Sequence, residues 1–339
     1  EKCEPLMERA LKPLWAAYRA VAIARDKRGP LDLDLPERRI VLDDKGRVAR
    51  VVTPERLDAH RLIEEFMIQA NVCAAETLEQ KTRPQIYRCH DRPSDTKIAA
   101  LTDFLPTVDM AWAKGQTISA SRFNRILHLA EQSPNKDIIN EVILRTQSQA
   151  VYTPDNNGHF GLAFEAYTHF TSPIRRYPDL LVHRVIKAIL TKRKYTLPAL
   201  PTPGEAHAKL ARRLASRVRE PEGKLAVKNK PTPDQQAWEA AGLHCSANER
   251  RADEASRDVE AWLKCKYMRD HLGEEFGGMV SSATSFGLFV TLDDMYVEGL
   301  VHITELGGEY FRFDEARQEL RGERTGIRYA LGTRRSEEH

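Results

Sequence analysis

The spacing of apolar residues changes from mainly helical to β-like near Gly273 of this 339-residue chain, and that change constrains the fold more than any other feature. Before it, apolar residues recur at helical spacing, most clearly over residues 54–80, where one face stays apolar behind Pro54. After it, short β-prone runs alternate with glycine-containing or acidic turns, as in a small barrel. The pattern predicts an α+β protein with a helix-rich part followed by a partial β-barrel.

The same periodicities predict the remaining elements. A strand-like alternation begins at Leu31, and a turn at residues 43–46 completes a hairpin within residues 30–53. Helices are predicted over residues 1–28, in pieces over 94–150 with Leu144 in the core, and from Pro178 to Leu190. The capping-box spacing of Ser246 and Glu249 predicts the start of a last helix, which ends near His271.

Composition excludes several classes of protein. Hydrophobic residues make up 41% of the chain and charged residues 30%, with a net charge of +3, as in ordinary globular proteins. No apolar run approaches the roughly 18 residues that a membrane span needs, and no signal peptide is visible from Glu1 onward. The five cysteines are scattered, without metal-binding or redox spacing. These features predict a cytoplasmic protein with free thiols and no membrane contact.

Residues 192–240 interrupt the pattern with a segment rich in proline and basic side chains. We interpret them as an insert or linker, partly helical around residues 205–219. The basic excess could attract an anionic polymer, although a solvated spacer is the simpler interpretation. The chain then divides into residues 1–191, this insert, a closing helix over 241–272 and a β-rich part over 273–339.

Two arginines, Arg175 and Arg176, stand just ahead of the helix that Pro178 marks. A helix N-terminus offers free backbone N–H groups and the positive end of the helix dipole. Together with two guanidinium groups, such a place suits a phosphodiester, and Tyr167 and Tyr177 could stack on bases. The same residues also fit an ordinary helix start with solvated arginines.

The segment around these arginines contains the most specific sequence motif in the chain. The run from Tyr167 reads YTHFTSPIRRYPDL and, with HFGL at residues 159–162, it resembles the signature of the ribonuclease II/R family, which has an RNB catalytic domain. Residues 58–71, 90–94 and 249–263 extend the resemblance. It implies the C-terminal, helix-rich half of an RNB domain followed by a partial OB-fold β-barrel.

The family resemblance also implies an activity. It implies a monomeric 3′→5′ exoribonuclease that uses Mg²⁺, acts processively on the 3′ ends of single-stranded RNA and releases nucleoside 5′-monophosphates. Arg175 would stabilise charge on the scissile phosphate. Glu64 and Glu65 match paired glutamates, one of which contacts the terminal ribose, where a carboxylate can accept from a 2′-OH. On periodicity alone, both glutamates fit the polar edge of an amphipathic helix.

Two departures from the family pattern stand out. The aspartate cluster that holds Mg²⁺ in the family is absent, since Asp32 and Asp34 lie in the strand-like run and Asp293 in a barrel turn. We therefore expect no metal ligands in this chain, metal ligands upstream of Glu1, and an inactive chain on its own. Leu33 replaces a phenylalanine that stacks on a base in the family, so it is either an apolar RNA contact or a core leucine.

The β-rich end resembles an OB-fold RNA-binding domain through the runs FGLFV and EGLVH. Phe286, Phe289 and His302 would form its base-stacking face, or they belong to the barrel core. The last strands are expected after Leu331, so the barrel is expected to be incomplete.

Three functions stay open at this point. The first is the exoribonuclease that the resemblance implies. The second is an RNA-binding remnant that keeps Arg175 and the OB-fold face but does not hydrolyse RNA. The third is a nuclease with another metal constellation, for which the sequence offers no compact cluster of acidic residues and histidines.

Overall fold

The computed structural model describes residues 4–33, 38–112, 117–198, 232–293, 296–314 and 319–336. Helices dominate up to His271 and strands dominate after it, which confirms the predicted α+β class. The proposed helix around residues 205–219 lies outside the described residues. Within the described part, no helix is long and apolar enough to cross a membrane.

The helices form most of the first part of the chain. They are α1 (Lys12–Arg28), α2 (Asp58–Gln80), α3 (Asp95–Phe104), α4 (Ala120–Ala130), α5 (Lys136–Thr146), α6 (Tyr177–Leu190) and α7 (Pro233–Met268). Short 3-10 or π segments extend α1 backward and α3 and α7 forward, and one follows the seventh strand: Glu4–Leu6, Met7–Leu11, Leu105–Val108, Arg269–His271 and Ile303–Glu305.

The strands pair only in antiparallel fashion. They are β1 (Arg39–Leu42), β2 (Val48–Val52), β3 (Tyr87–Cys89), β4 (Val151–Thr153), β5 (Gly277–Thr284), β6 (Gly287–Leu292), β7 (Glu298–His302), β8 (Phe311–Asp314), β9 (Glu319–Gly322), β10 (Arg328–Ala330) and β11 (Arg334–Ser336). Strands β1–β2 and β3–β4 form two-stranded pairs, and the C-terminal strands form a four-stranded sheet, β11-β5-β6-β7, and a three-stranded sheet, β10-β9-β8. These described strands form no closed barrel.

Three larger apolar clusters, and a small one that includes Ala75 and Tyr87, hold the described elements together. The first lies among α3, α4 and α5 and includes the fully buried Phe123, and the second joins α2, α6 and α7 around Leu181 and Trp238. The third fills the space between the two C-terminal sheets. Met279 and Leu331 pack against the first cluster, so the β-rich part is in contact with the helical part.

Several predicted boundaries are wrong, each for a local reason. Helix α2 begins at Asp58 rather than at Pro54. At this start, the His60 Nδ1 atom accepts a hydrogen bond from the Leu57 N–H at 3.0 Å. Leu144 lies on the solvent side of α5, 45% exposed. Leu31 is not in a strand, because its N–H donates to the Gly161 carbonyl instead of a strand partner. The hairpin itself is confirmed as β1–β2.

The closing helix starts earlier than its capping-box spacing predicted. Thr232 caps α7 by accepting from the Gln235 N–H, and the Gln235 side chain accepts from the Thr232 N–H at 2.8 Å. Ser246 is buried inside the helix, where its hydroxyl accepts from the Tyr152 N–H at 2.8 Å and donates to the Gly242 carbonyl at 3.0 Å. Residues 233–240 therefore belong to this helix and not to the insert.

Gly242 lets α7 approach the β3–β4 pair closely. A Cβ atom at this position would lie 2.7 Å from the Tyr152 carbonyl oxygen and 3.2 Å from the Thr153 Cα. We expect Gly242→Ala to lower the free energy of unfolding by about 1–3 kcal/mol through overpacking, although alanine is the better helix former by about 1 kcal/mol. Urea unfolding would measure the loss, with Gly308→Ala as control because that position has open space. Unchanged or increased stability of Gly242→Ala would contradict the close approach.

Candidate nucleic-acid interface

A buried asparagine anchors the loop that carries the two arginines. Asn71 of α2 is 3% exposed, and its side-chain amide donates to the Tyr167 hydroxyl oxygen at 2.8 Å. Its carbonyl oxygen accepts from the N–H groups of Phe170 at 2.8 Å and Thr171 at 3.2 Å. These three bonds satisfy groups that would otherwise be unpaired in the interior, and they fix the loop against α2.

A buried carboxylate then fixes the turn into α6. Asp179 is fully buried, and one of its oxygens accepts from the Ser172 N–H at 2.7 Å and from the Arg176 guanidinium at 2.8 Å. Arg176 is thereby held in place. Arg175 is exposed and, within the described residues, its side chain forms no ion pair or hydrogen bond. The structure thus holds Arg176 in place and leaves Arg175 exposed, while the predicted roles of Arg175 in catalysis and Arg176 in RNA binding stay predictions.

Rings surround Tyr167 on several sides. Phe164 stacks on it at a centroid distance of 6.1 Å, while His159 and His169 meet it edge-on at 5.3 and 5.9 Å. Tyr167 is 5% exposed, so most of its ring faces protein. Its predicted role in base stacking stays a prediction, and its described contacts are those of a residue that organises the loop.

Positive charge converges on His169. Burial lowers the pKa of His169 to about 2, together with the charges of Arg176 and Arg88 and a smaller effect of Arg175. Burial also lowers the pKa of His159 to about 3. Both imidazoles are therefore neutral near pH 7. Of the three guanidinium groups, Arg176 pairs with Asp179 and Arg88 pairs with Glu249, so Arg175 supplies the charge that is available to an anion.

The depressed histidine pKa values predict a pH-dependent stability. Below pH 6.5 the unfolded histidines take up protons and the folded ones do not, so the folded state loses about 1.4 kcal/mol per pH unit for each buried histidine until the folded pKa is reached. We expect His169→Gln to reduce the fall in unfolding free energy between pH 6 and pH 5 by about 1 kcal/mol. Urea unfolding at both pH values measures this, and the exposed His128→Gln is the control. An unaltered pH slope in His169→Gln would count against a neutral, buried imidazole.

Arg88 is a site residue that the sequence analysis did not single out. Its guanidinium lies over the Tyr152 ring at 4.6 Å and pairs with Glu249 at 2.7 Å. The backbone N–H of Arg88 donates to the Tyr167 carbonyl at 2.9 Å. Glu249 opens one of the segments that resemble the ribonuclease II/R family, which was the available hint. Arg88 connects β3 with α7 and with the arginine loop, the segment before α6 that carries Arg175 and Arg176.

The two neighbouring glutamates have different surroundings. Glu65 is 7% exposed and pairs with Arg25 at 3.0 Å. Burial raises the pKa of Glu65, against the opposing effect of Arg25 and Arg28. Glu64 is exposed and pairs with Arg56. Of the two, Glu64 is the one whose carboxylate meets solvent.

The remaining candidates fall into two groups. Leu33 packs half-buried against the first apolar cluster, and Tyr177 packs against the second. At the other end of the chain, Phe286 is 47% exposed and meets Phe289 edge-on at 6.2 Å. His302 is exposed on the strand beside them, paired in register with Gly287. The structure thus brings the three predicted OB-fold residues together on one face.

A cleft of about 900 Å³ opens beside the rings that surround Tyr167, between His159, Phe164 and the start of α4. Arg28 forms part of its wall, with its guanidinium 3.9 Å from the centre of the Phe164 ring and its Nε donating to the Leu162 carbonyl at 2.9 Å. The volume lies within the range of ligand pockets.

Divalent-metal chemistry has no matching donor set in this structure. Among the described residues, no three His, Cys, Asp or Glu side chains lie together as a metal site would require. Asp32 and Glu65 both approach Arg25, at 3.0 Å each, so their charge is already compensated. The residues that the structure describes therefore do not fit a Mg²⁺ ion.

Comparison with known proteins identifies the family. The family model for the RNB domain matches residues 1–192, and the chain belongs to this family. It is 37% identical over 334 residues to ribonuclease R of Escherichia coli, which covers 98% of this chain and 38% of that protein.

Solved structures agree with this assignment. RNase R of Mycoplasma genitalium, solved in complex with ribose methylated single-stranded RNA, matches with a TM-score of 0.80 at 26% identity, over 96% of this chain and 46% of that one. A yeast pseudonuclease shares the fold, with a TM-score of 0.57 at 20% identity over 79% of this chain and 30% of that one. The chain thus spans less than half the length of each of these relatives.

Proposed function

We propose that this chain forms the RNA-contacting part of a 3′→5′ exoribonuclease similar to bacterial ribonuclease R, which hydrolyses single-stranded RNA processively to nucleoside 5′-monophosphates. The observation that carries the proposal is the exposed Arg175 on the loop before α6, next to Arg176, which Asp179 holds in place. Guanidinium groups beside a helix N-terminus suit a phosphodiester. The similarity to an RNase R solved with single-stranded RNA supports the same partner.

Each site residue has a role in this proposal. Arg175 is the exposed guanidinium that meets the charge building on the scissile phosphate, where a preorganised cation helps most. Asp179 positions the loop through Arg176 and the Ser172 N–H. Glu64 has the exposed carboxylate that could accept from a terminal 2′-OH, while Glu65 holds Arg25.

The other predicted contacts keep more modest roles. Leu33, Tyr167 and Tyr177 would support the RNA path through apolar and ring surfaces, and Phe286, Phe289 and His302 would stack on bases farther along the strand. The monomeric state and the cytoplasmic location expected from the sequence stay predictions.

The proposal needs Mg²⁺, in keeping with hard oxygen ligands at phosphoryl-transfer sites. Since the described residues hold no suitable donor set, we propose that the ligands come from residues outside this 339-residue sequence. The chain on its own is then expected to bind single-stranded RNA and to release no nucleotide.

One observation favours a second candidate, an RNA-binding module without hydrolysis. A binding module needs no metal, which agrees with the lack of a metal donor set among the described residues. Its fold is shared with a yeast pseudonuclease. The two candidates agree on RNA binding and differ only on bond cleavage.

A chimera separates the two candidates. This chain would replace the 334 residues that it matches in E. coli ribonuclease R, and the purified chimera would be incubated with single-stranded RNA, with and without Mg²⁺. The proposal predicts Mg²⁺-dependent release of mononucleotides. A folded chimera that binds RNA but leaves it intact would favour the binding module.

A further inference from the structure

A row of three arginines crosses the three-stranded sheet. The strand register places Arg312 of β8 directly opposite Arg321 of β9, and Arg321 opposite Arg328 of β10. Neighbouring strands lie about 4.8 Å apart, so the three Cα positions span about 10 Å in a nearly straight line. All three side chains belong to exposed residues.

The row faces away from the apolar core. Residues next to the arginines in sequence, such as Phe311, Leu320 and Tyr329, are buried in the third apolar cluster. Because successive side chains of a strand point to opposite faces, the arginines lie together on the outer face. This surface is separate from the loop before α6 and from the face of Phe286, Phe289 and His302.

The row carries uncompensated charge. Within the described part of the chain, none of the three arginine side chains forms an ion pair or a hydrogen bond. Like charges placed directly opposite on neighbouring strands destabilise a sheet, so the row opposes folding unless an anion meets it. Acidic residues flank the row along the strands, Asp314 and Glu319 on one side and Glu323, opposite Tyr310, on the other, so an anion would follow the arginine row itself.

An exposed aromatic ring lies on that other side. Tyr310 is 71% exposed and precedes Arg312 by two residues, the position that shares its face in an extended segment. Its carbonyl accepts from the Glu323 N–H at 3.0 Å, which keeps it in line with the sheet. A cationic row beside an exposed ring is the combination that binds single-stranded nucleic acid, whereas an acidic protein segment would need only the charge.

We propose that Arg312, Arg321 and Arg328 bind successive phosphates of single-stranded RNA, with Tyr310 stacking on a base. The partner rests on the proposed function, in which RNA is the ligand of this chain. The row adds a second RNA-binding surface on the sheet that lies outside the predicted OB-fold face. It holds the strand by its backbone and therefore without sequence preference.

The test measures RNA affinity as a function of salt concentration. Fluorescence anisotropy would follow a labelled single-stranded RNA oligonucleotide binding to the 339-residue chain and to the triple variant R312Q/R321Q/R328Q. Loss of three phosphate contacts should reduce the slope of log K against log salt by about 2 and weaken binding at least about tenfold at low salt. Removing the facing like charges should leave the melting temperature of the variant unchanged or raised.

Two matched variants sharpen the test. R9Q/R19Q/R257Q removes the same charge from exposed helical positions and should keep most of the affinity and salt slope. R312K/R321K/R328K keeps the charge and should retain the slope, since phosphates accept lysine as a point charge. If R312Q/R321Q/R328Q and R9Q/R19Q/R257Q lose the same affinity and salt slope, the arginine row contributes only net charge, and the proposal is overturned.

Failure of this inference and failure of the proposed function look different. If the unaltered chain binds RNA and R312Q/R321Q/R328Q binds it with the same affinity and salt slope, the row is not an RNA site, although the proposed function stands. If the unaltered chain has no affinity for single-stranded RNA, both are wrong.

Discussion

Replacing Asp179 with alanine should lower the free energy of unfolding by about 3–5 kcal/mol, the cost typical of breaking a buried ion pair. The carboxylate is fully buried, and its removal leaves the Arg176 guanidinium and the Ser172 N–H without their partner. It also removes a negative charge from the first turn of α6, where the helix dipole favours one.

Urea unfolding of the 339-residue chain would measure this effect. Asp258→Ala, an exposed position on α7, should change stability by less than about 0.5 kcal/mol. Asp179→Asn keeps one acceptor for the Ser172 N–H, so its loss of stability should lie between the losses of Asp179→Ala and Asp258→Ala. In a double-mutant cycle, Arg176→Ala and Asp179→Ala should lose less together than the sum of their separate losses. Additive losses would show that the two side chains do not act as a pair.

Replacing Arg175 with alanine should reduce the rate of bond cleavage by about 100- to 1000-fold, as for removal of one preorganised donor to transition-state charge. The measurement is single-turnover cleavage by the chimera with E. coli ribonuclease R. Because Arg175 is exposed and outside the apolar clusters, the variant should fold normally. RNA affinity should change only a few-fold, since many other contacts hold the backbone.

Two variants separate the transition-state role from simple attraction. Arg175→Lys keeps the charge but loses the planar fork, so it should recover affinity fully and rate only in part. Arg193→Ala removes another exposed arginine just after α6 and should leave the rate unchanged. An Arg175→Ala variant whose affinity collapses while its cleavage rate per bound RNA persists would assign this arginine to binding alone.

Local periodicity predicted the helices well and their ends less well. The apolar face over residues 54–80 became α2, and Pro178 stands in the first turn of α6 as predicted. The start of α7 was missed because the capping-box spacing of Ser246 and Glu249 also fits the middle of a helix. Ser246 is bound there by its own preceding turn and by Tyr152, a contact between residues far apart in sequence.

The C-terminal half of α7 shows a limit of periodicity. Val259 and Trp262 lie on one face at helical spacing, yet they are 57% and 59% exposed. The N-terminal half of the helix packs through Trp238 instead. Helical spacing shows which residues share a face, but a single sequence does not show which part of a long helix meets another element.

The candidate site could be located from the sequence but not assembled from it. The segment from Tyr167 to Leu180, which carries the motif, contains both arginines of the loop before α6. Its anchors come from distant parts of the chain: Asn71 lies 96 residues before Tyr167, and Arg88 lies 161 residues before Glu249. Such pairings arise from tertiary packing, which local spacing does not encode.

The proposed exoribonuclease would remove nucleotides one at a time from the 3′ end of an RNA. The most direct measurement is a time course with the chimera on single-stranded RNA labelled either at its 3′-terminal nucleotide or at its 5′ end. The 3′ label should appear at once as a 5′-mononucleotide, while the 5′ label should pass from full-length RNA to a short end product with few intermediate lengths. Internal fragments, early release of the 5′ label, or intact RNA bound to a folded chimera would contradict the proposed activity.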